Sequence, residues 1–173
     1  MFNFYQMTDP EIQRLLKLPK QVSDPPTKNW RTEELHRRKD FGLVSKDGES
    51  RFRAFARQHV RFPENFSVGL EYEPDDGSDS VILLRCNGPH GDFNRAVDPT
   101  HPHYHSHIHT ASAEAIEAGE RAESRAAITC EFSNVKEAIR FFLNAVAVDA
   151  NDQARFFEDD LRATLFDQME FES

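Results

Sequence analysis

Five of the eight histidines in this 173-residue chain fall within one stretch of nine, HPHYHSHIH, at His101, His103, His105, His107 and His109. Imidazole is both a metal ligand and a proton-transfer group near neutral pH. A spacing of two puts alternate residues on one face of a strand, roughly 6.5–7 Å apart. Neighbouring rings at that spacing can converge on one ion with bonds of ~2.0–2.1 Å, whereas a longer row cannot share a single ion. A metal centre here, with His105, His107 and His109 as candidates, would use one adjacent pair plus ligands from elsewhere and hold a divalent ion such as Zn or Ni. Pro102 fits poorly inside a strand ladder, so the ordered part of the run is expected from His103 to His109. The early histidines, 101 to 105, are assigned to the surface, and HIH is taken as the working end.

A second histidine stands apart. His90 lies in CNGPHG, where Gly88, Pro89 and Gly91 favour a tight turn that can aim it back over a sheet. If its strand neighbours the histidine strand, His90 can meet His107 or His109. Arg85, Asn87 and Arg95 would then share the same rim. That set suits phosphodiester cleavage with no metal required. His90, His107 and His109 would supply base and acid, and Arg85, Asn87 and Arg95 would hold the substrate. The plainer alternative is a polar strand face on which histidine is merely tolerated. Nucleotide-binding glycine loops, the nucleophile elbow and zinc-protease or zinc-knuckle spacings are all absent from the sequence.

Several elements must position these groups. TDPEIQRLLKL reads as a helix with Thr8 as cap, Pro10 in the first turn and Ile12, Leu15 and Leu16 as its stripe. LPKQVSDPPTKNW reads as loop. Strand patterns follow around Phe41–Leu43, over residues 51–57, over FSVGLEYEP and over SVILLRCN, with KDGE and PDDGSD as turns. In the second of these, Phe52, Ala54 and Ala56 face one way, while Arg51, Arg53, Phe55 and Arg57 face the other. Ser112 and Asn134 can cap later helices, and Asn151 or Asp152 a last one carrying Phe157, Leu161 and Leu165. The expected fold is α+β. An antiparallel meander of about five strands carries an N-terminal helix and two to three C-terminal helices packed on it. One domain is expected over residues 1–173, with its core at 8–147 and an acidic helical extension at 148–173.

Composition narrows the class. Fifteen phenylalanines can anchor a core. The net charge of −9 is concentrated in the C-terminal third, while residues 31–61 lean basic, so an anionic substrate is not excluded. The two cysteines, Cys86 and Cys130, form no CxxC and are expected to be buried and inert. The first residues lack a basic region followed by an apolar run, and no apolar stretch approaches the ~20 residues of a membrane span. A cytoplasmic location is therefore expected.

RFPENFSVGL, LLRCNGPHG, HIHTA and EFSNVKEAIRFFL together resemble a family of uncharacterised bacterial proteins of about this length, over roughly residues 10–145. More loosely, the pattern is similar to TumE-like toxins of toxin–antitoxin systems, which also pair an Asn/Gly/His loop with a histidine strand and a terminal helix. That resemblance implies a toxin-like nuclease acting on RNA, neutralised by a small cognate antitoxin protein. It carries over onto Arg85, Asn87, His90, His107 and His109. The chain departs from those toxins in its N-terminal helix, the histidines at 101–105 and the acidic helix after 150. The alternative is a non-enzymatic module that binds a divalent metal or another protein through the histidine strand.

Overall fold

A computed structural model describes residues 7–90 and 100–162. Helix α1 (Asp9–Lys17) opens at Thr8, whose hydroxyl accepts from the Glu11 N–H, and buries Ile12, Leu15 and Leu16. The strands are β1 (Lys20–Asp24), β2 (Arg31–Glu33), β3 (His36–Ser45), β4 (Arg51–His59), β5 (Phe66–Glu73), β6 (Val81–Asn87), β7 (His107–Thr110) and β8 (Ala126–Ile128). They form a single eight-stranded sheet in the order β1-β3-β4-β5-β6-β7-β8, with β2 paired to the free stretch of β3. Every strand pairing is antiparallel. The class is α+β, as the sequence implies, but the sheet is wider than the expected five strands. The additions are β1, which lies in the segment read as loop, β2, which directly follows that segment, and the three-residue β8. These strands are too short and too rich in Lys, Asp and Pro neighbours to show a period of two.

A short helix α2 (Ala113–Glu117), capped by Ser112, follows β7. Alternation divides the sheet into two faces. On one face, Phe41, Leu43, Phe52, Ala54, Val68, Leu70 and Cys86 join the hydrophobic core with α1 and with helix α3 (Val135–Ala145), which contributes Val135, Ala138, Ile139, Phe142 and Leu143. Asn134 caps α3 by accepting from the Glu137 N–H. Phe157, just beyond helix α4 (Ala150–Phe156), packs edge-on against Phe41. The cap of α4 is Asp149, not Asn151 or Asp152, because its carboxylate reaches the N–H groups of both. Asp160 is buried in an ion pair of 3.0 Å with Lys39, and Leu165 lies outside the described residues. No helix among the described residues is long and apolar enough to cross a membrane.

The opposite face of the sheet is polar. Its cross-strand register runs Arg31, Arg38, Arg57, Ser67, Asn87 and His107, one residue from each of β2 to β7. A parallel row runs Asp40, Phe55, Gly69, Arg85 and His109. Phe55 lies flat over Gly69, where any Cβ would come within 2.4 Å of the ring. Arg51 and Arg53 on this face are ion-paired with Asp75 and Glu73. Arg57 stacks on the Phe55 ring at 5.0 Å.

Two further expectations need correction. The histidine strand spans His107–Thr110, not 103–109, because Pro102–Tyr104 forms a 3-10 turn instead of extended chain. Cys130 is exposed, since it follows the end of the short edge strand β8, whereas Cys86 is buried.

Candidate metal centre

Three segments bring histidines together. The first is β7. His107 and His109 point to the polar face, with 0 % and 4 % of their surface exposed. The His107 Nδ1–H donates to the His105 carbonyl at 2.8 Å, and the His109 Nδ1–H donates to the Glu123 carbonyl at 2.8 Å. A carbonyl can only accept, so these bonds fix the tautomer. In each ring Nε2 carries the lone pair, as it does when a backbone carbonyl orients a metal-ligating imidazole.

The second segment leaves β6. Gly88 N–H donates to the Phe66 carbonyl at 3.0 Å, and a Cβ at this position would lie 1.9 Å from the Glu64 carbonyl oxygen. Glycine alone permits that approach, and it leads the chain from the end of β6 into Pro89 and His90. The third segment is the 3-10 turn. Pro102 starts it, and the His101 side chain accepts from the His103 N–H at 3.2 Å. The turn folds His103 back over His107, and the two rings stack with centroids 5.0 Å apart. A backbone bond from His90 N–H to the His103 carbonyl, 3.0 Å, ties the second segment to the third.

The outcome is a triad. One ring nitrogen from each of His90, His103 and His107 lies within 4.8 Å of the others. Ring centroids are 4.6 Å apart for His90–His103 and 5.1 Å for His90–His107. Tetrahedral bonds of ~2.0–2.1 Å need nitrogens about 3.4 Å apart, so an ion would draw the rings together by roughly 1 Å. His90 Nε2 is buried and has no hydrogen-bond partner among the described residues.

Electrostatics keep these rings neutral. Burial, and then the neighbouring His103, Arg85, His109 and His101, push the His90 pKa down to about 4. Burial is also the main cause for His107, which reaches about 4 with His109, His90 and His103 adding to the effect against the bond to the His105 carbonyl. His103 and His109 are lowered as well, again chiefly by burial. A neutral imidazole is the form that binds a metal.

Around the triad lies a polar shell. Asn87 stands opposite His107, its Oδ1 accepting from the Ser67 hydroxyl at 2.8 Å, which leaves its Nδ2 facing His107 Nε2 at 3.5 Å. Arg85 stands opposite His109. Its Nη2 lies 3.8 Å from the buried carboxylate of Glu123, which is also 3.8 Å from Arg121 Nε. Arg85 Nε, Glu123 Oε1 and His109 Nε2 are buried without hydrogen-bond partners among the described residues.

No family model, curated protein or solved structure matches the chain.

Of the residues singled out in the sequence, His90, His107, His109, Arg85 and Asn87 come together here. His105 does not join them: it is exposed and contributes its backbone carbonyl. His103 takes the place given to His105, because Pro102 converts the expected strand into a turn that reverses the chain. His101 and His103, expected at the surface, are half-buried against the cluster. Arg95 lies outside the described residues. Glu123 is new to the set, and nothing in GERAES distinguishes it from a solvated acidic loop.

Proposed function

We propose that this protein binds a divalent transition metal through His90, His103 and His107 and leaves a coordination position open to solvent or substrate. The observation that carries the reading is the meeting of three imidazole nitrogens from three chain segments within 4.8 Å. Three neutral nitrogen ligands suit zinc, nickel or copper and not the oxygen-seeking calcium or magnesium. Three protein ligands with an open position is the pattern of catalytic zinc, where a bound water becomes acidic near neutral pH.

A metal-independent ribonuclease needs one protonated imidazole beside one neutral imidazole. With His90 and His107 both near 4, the acid would be missing at neutral pH. A metal supplies that missing electrophile, which is why the metal reading comes first. Hydrolysis of RNA, as the TumE-like resemblance implies, is a second reading of the same centre. The register from Arg57 through Ser67 and Asn87 to His107 favours it, since it offers an anionic chain a polar track across the sheet at about 4.8 Å per strand.

The deciding experiment is metal analysis of the full chain, purified without a histidine tag from cytoplasmic expression. About one equivalent of metal is expected, with loss of at least about 100-fold in affinity in His90→Ala and His103→Ala. Affinity indifferent to both substitutions would refute the centre. For the second reading, wild type is expressed beside His107→Ala and scored for growth and RNA integrity. Normal growth with intact RNA on wild-type expression would remove the toxin reading while leaving the metal reading standing.

A further inference from the structure

Charge balance beside the triad has a consequence. Three neutral imidazoles leave a bound dication with its whole charge. Arg85 stands next to it and keeps its proton, as guanidinium does even where burial lowers its pKa. Glu123 offers one negative charge, and at 3.8 Å that carboxylate is also shared with Arg121. A loaded site therefore holds excess positive charge in half-buried surroundings, which is costly unless an anion accompanies it.

The unpartnered atoms describe that anion. Arg85 Nε is a buried donor, and His109 Nε2 is a buried acceptor on a side chain with 4 % of its surface exposed. Arg85 and His109 are directly paired across β6 and β7. The Asn87 amide nitrogen adds a second donor toward His107. Donors next to a metal can donate to the oxygens of a tetrahedral oxyanion. An acceptor with no donor of its own suits an oxyanion that still carries a proton.

We propose, on the basis of the metal reading above, that the loaded centre binds hydrogen phosphate or the singly protonated form of a terminal phosphate monoester. One oxygen takes the open metal position, Arg85 Nε donates to another, and His109 Nε2 accepts from the P–O–H. Arg85 and His109 are thus ligand-binding residues for a phosphate group, not merely neighbours of the metal. Glu123 competes with the anion for Arg85.

The test uses isothermal titration of the tag-free full chain, metal-free and loaded with one equivalent of zinc. Inorganic phosphate is the probe, and sulfate is the control that carries no proton near neutral pH. Phosphate is expected to bind the loaded protein at least about tenfold more tightly than sulfate, and more tightly than it binds the metal-free protein. R85Q is expected to weaken phosphate by at least about tenfold without weakening zinc, because it removes a positive charge beside the ion. E123Q is expected to tighten phosphate, an opposite sign that misfolding would not produce. Should R85Q fail to fold, the direction in E123Q decides alone, with unchanged or weaker binding counting against the proposal. Equal affinity for sulfate and phosphate, or zinc-loaded R85Q that binds phosphate like wild type, overturns it. Failure of wild type to take up zinc is a different outcome, since it overturns the metal reading on which the phosphate subsite rests.

Discussion

Lys20 and the histidine cluster are both basic sites removed from water, yet they close their hydrogen bonds in opposite ways. Lys20 is fully buried. Its ammonium donates to the carbonyls of Leu15, Leu16, Leu18 and Val146 at 2.7, 3.0, 2.8 and 2.9 Å. It also sits 4.8 Å above the Phe52 ring. Those carbonyls are the loose ends of α1 and α3, where backbone acceptors lack partners and the helix dipole favours a cation. Burial lowers the Lys20 pKa to about 7, while the crowd of carbonyls favours the form with the most N–H groups. Nothing at Lys20 asks for a ligand. The histidine cluster, by contrast, leaves His90 Nε2, His109 Nε2 and Arg85 Nε with no hydrogen-bond partner among the described residues. Buried polar atoms are normally satisfied. A saturated basic group of this kind is a staple between two helices. An unsaturated set of lone pairs and donors is the signature of a binding site.

The contrast can be broken by mutation. The largest effect is expected at Lys20. Lys20→Met removes the donor and strands four carbonyls, at a cost of about 3–5 kcal/mol, a large part of a typical domain's stability. Urea denaturation should show that loss with or without zinc. Next comes the ligand itself. Zinc at about a thousandfold excess over its dissociation constant should stabilise the wild type by about 4 kcal/mol, or roughly 10 °C in Tm. The gain should vanish in His90→Ala, whose own metal-free stability should change by under about 1 kcal/mol because Nε2 loses no bond. Should zinc stabilise His90→Ala as much as wild type, the division between staple and site fails.

A third, smaller effect concerns pH. His90 and His107 have folded pKa values of about 4, below the ordinary 6.5. Between those values the unfolded chain binds more protons than the folded one, so stability falls as pH falls. The metal-free protein should hold its full histidine contribution above about pH 6.5 and lose it progressively down to about pH 4. A urea midpoint followed over that window checks it, and His107→Ala should flatten the profile. A midpoint that rises on acidification would contradict the burial of these rings.

Much of the frame is legible in the residues. Thr8 and Asn134 name their helices because a short side-chain acceptor sits where the first free N–H groups need one. The β4 alternation separates Phe52, Ala54 and Ala56 from the arginines, and it predicts which face meets the helices. His90 is found because a Gly-Pro turn beside a strand has few places to aim. Lys20 is illegible, because a lysine between prolines in a polar stretch looks solvated until two helix ends converge on it. His103 is misplaced for a related reason. The spacing of two extends through Pro102 on paper, but Pro102 favours the start of a helical turn, and the chain reverses. Glu123 carries no local pattern at all. Its place depends on β8 returning to β7, a contact between residues distant in sequence.

The two thiols offer a practical consequence. Cys86 is buried and pushed up to about 12, so it is unreactive at neutral pH, whereas Cys130 is exposed. Cys130 comes two residues after Ile128, which pairs directly with His107. A maleimide dye would therefore attach at one position of the native sequence, beside the strand that carries the candidate ligands. A coloured ion such as copper or cobalt at the triad would quench that dye by energy transfer. The unmutated chain thus has a built-in attachment point for an optical reporter of its own occupancy.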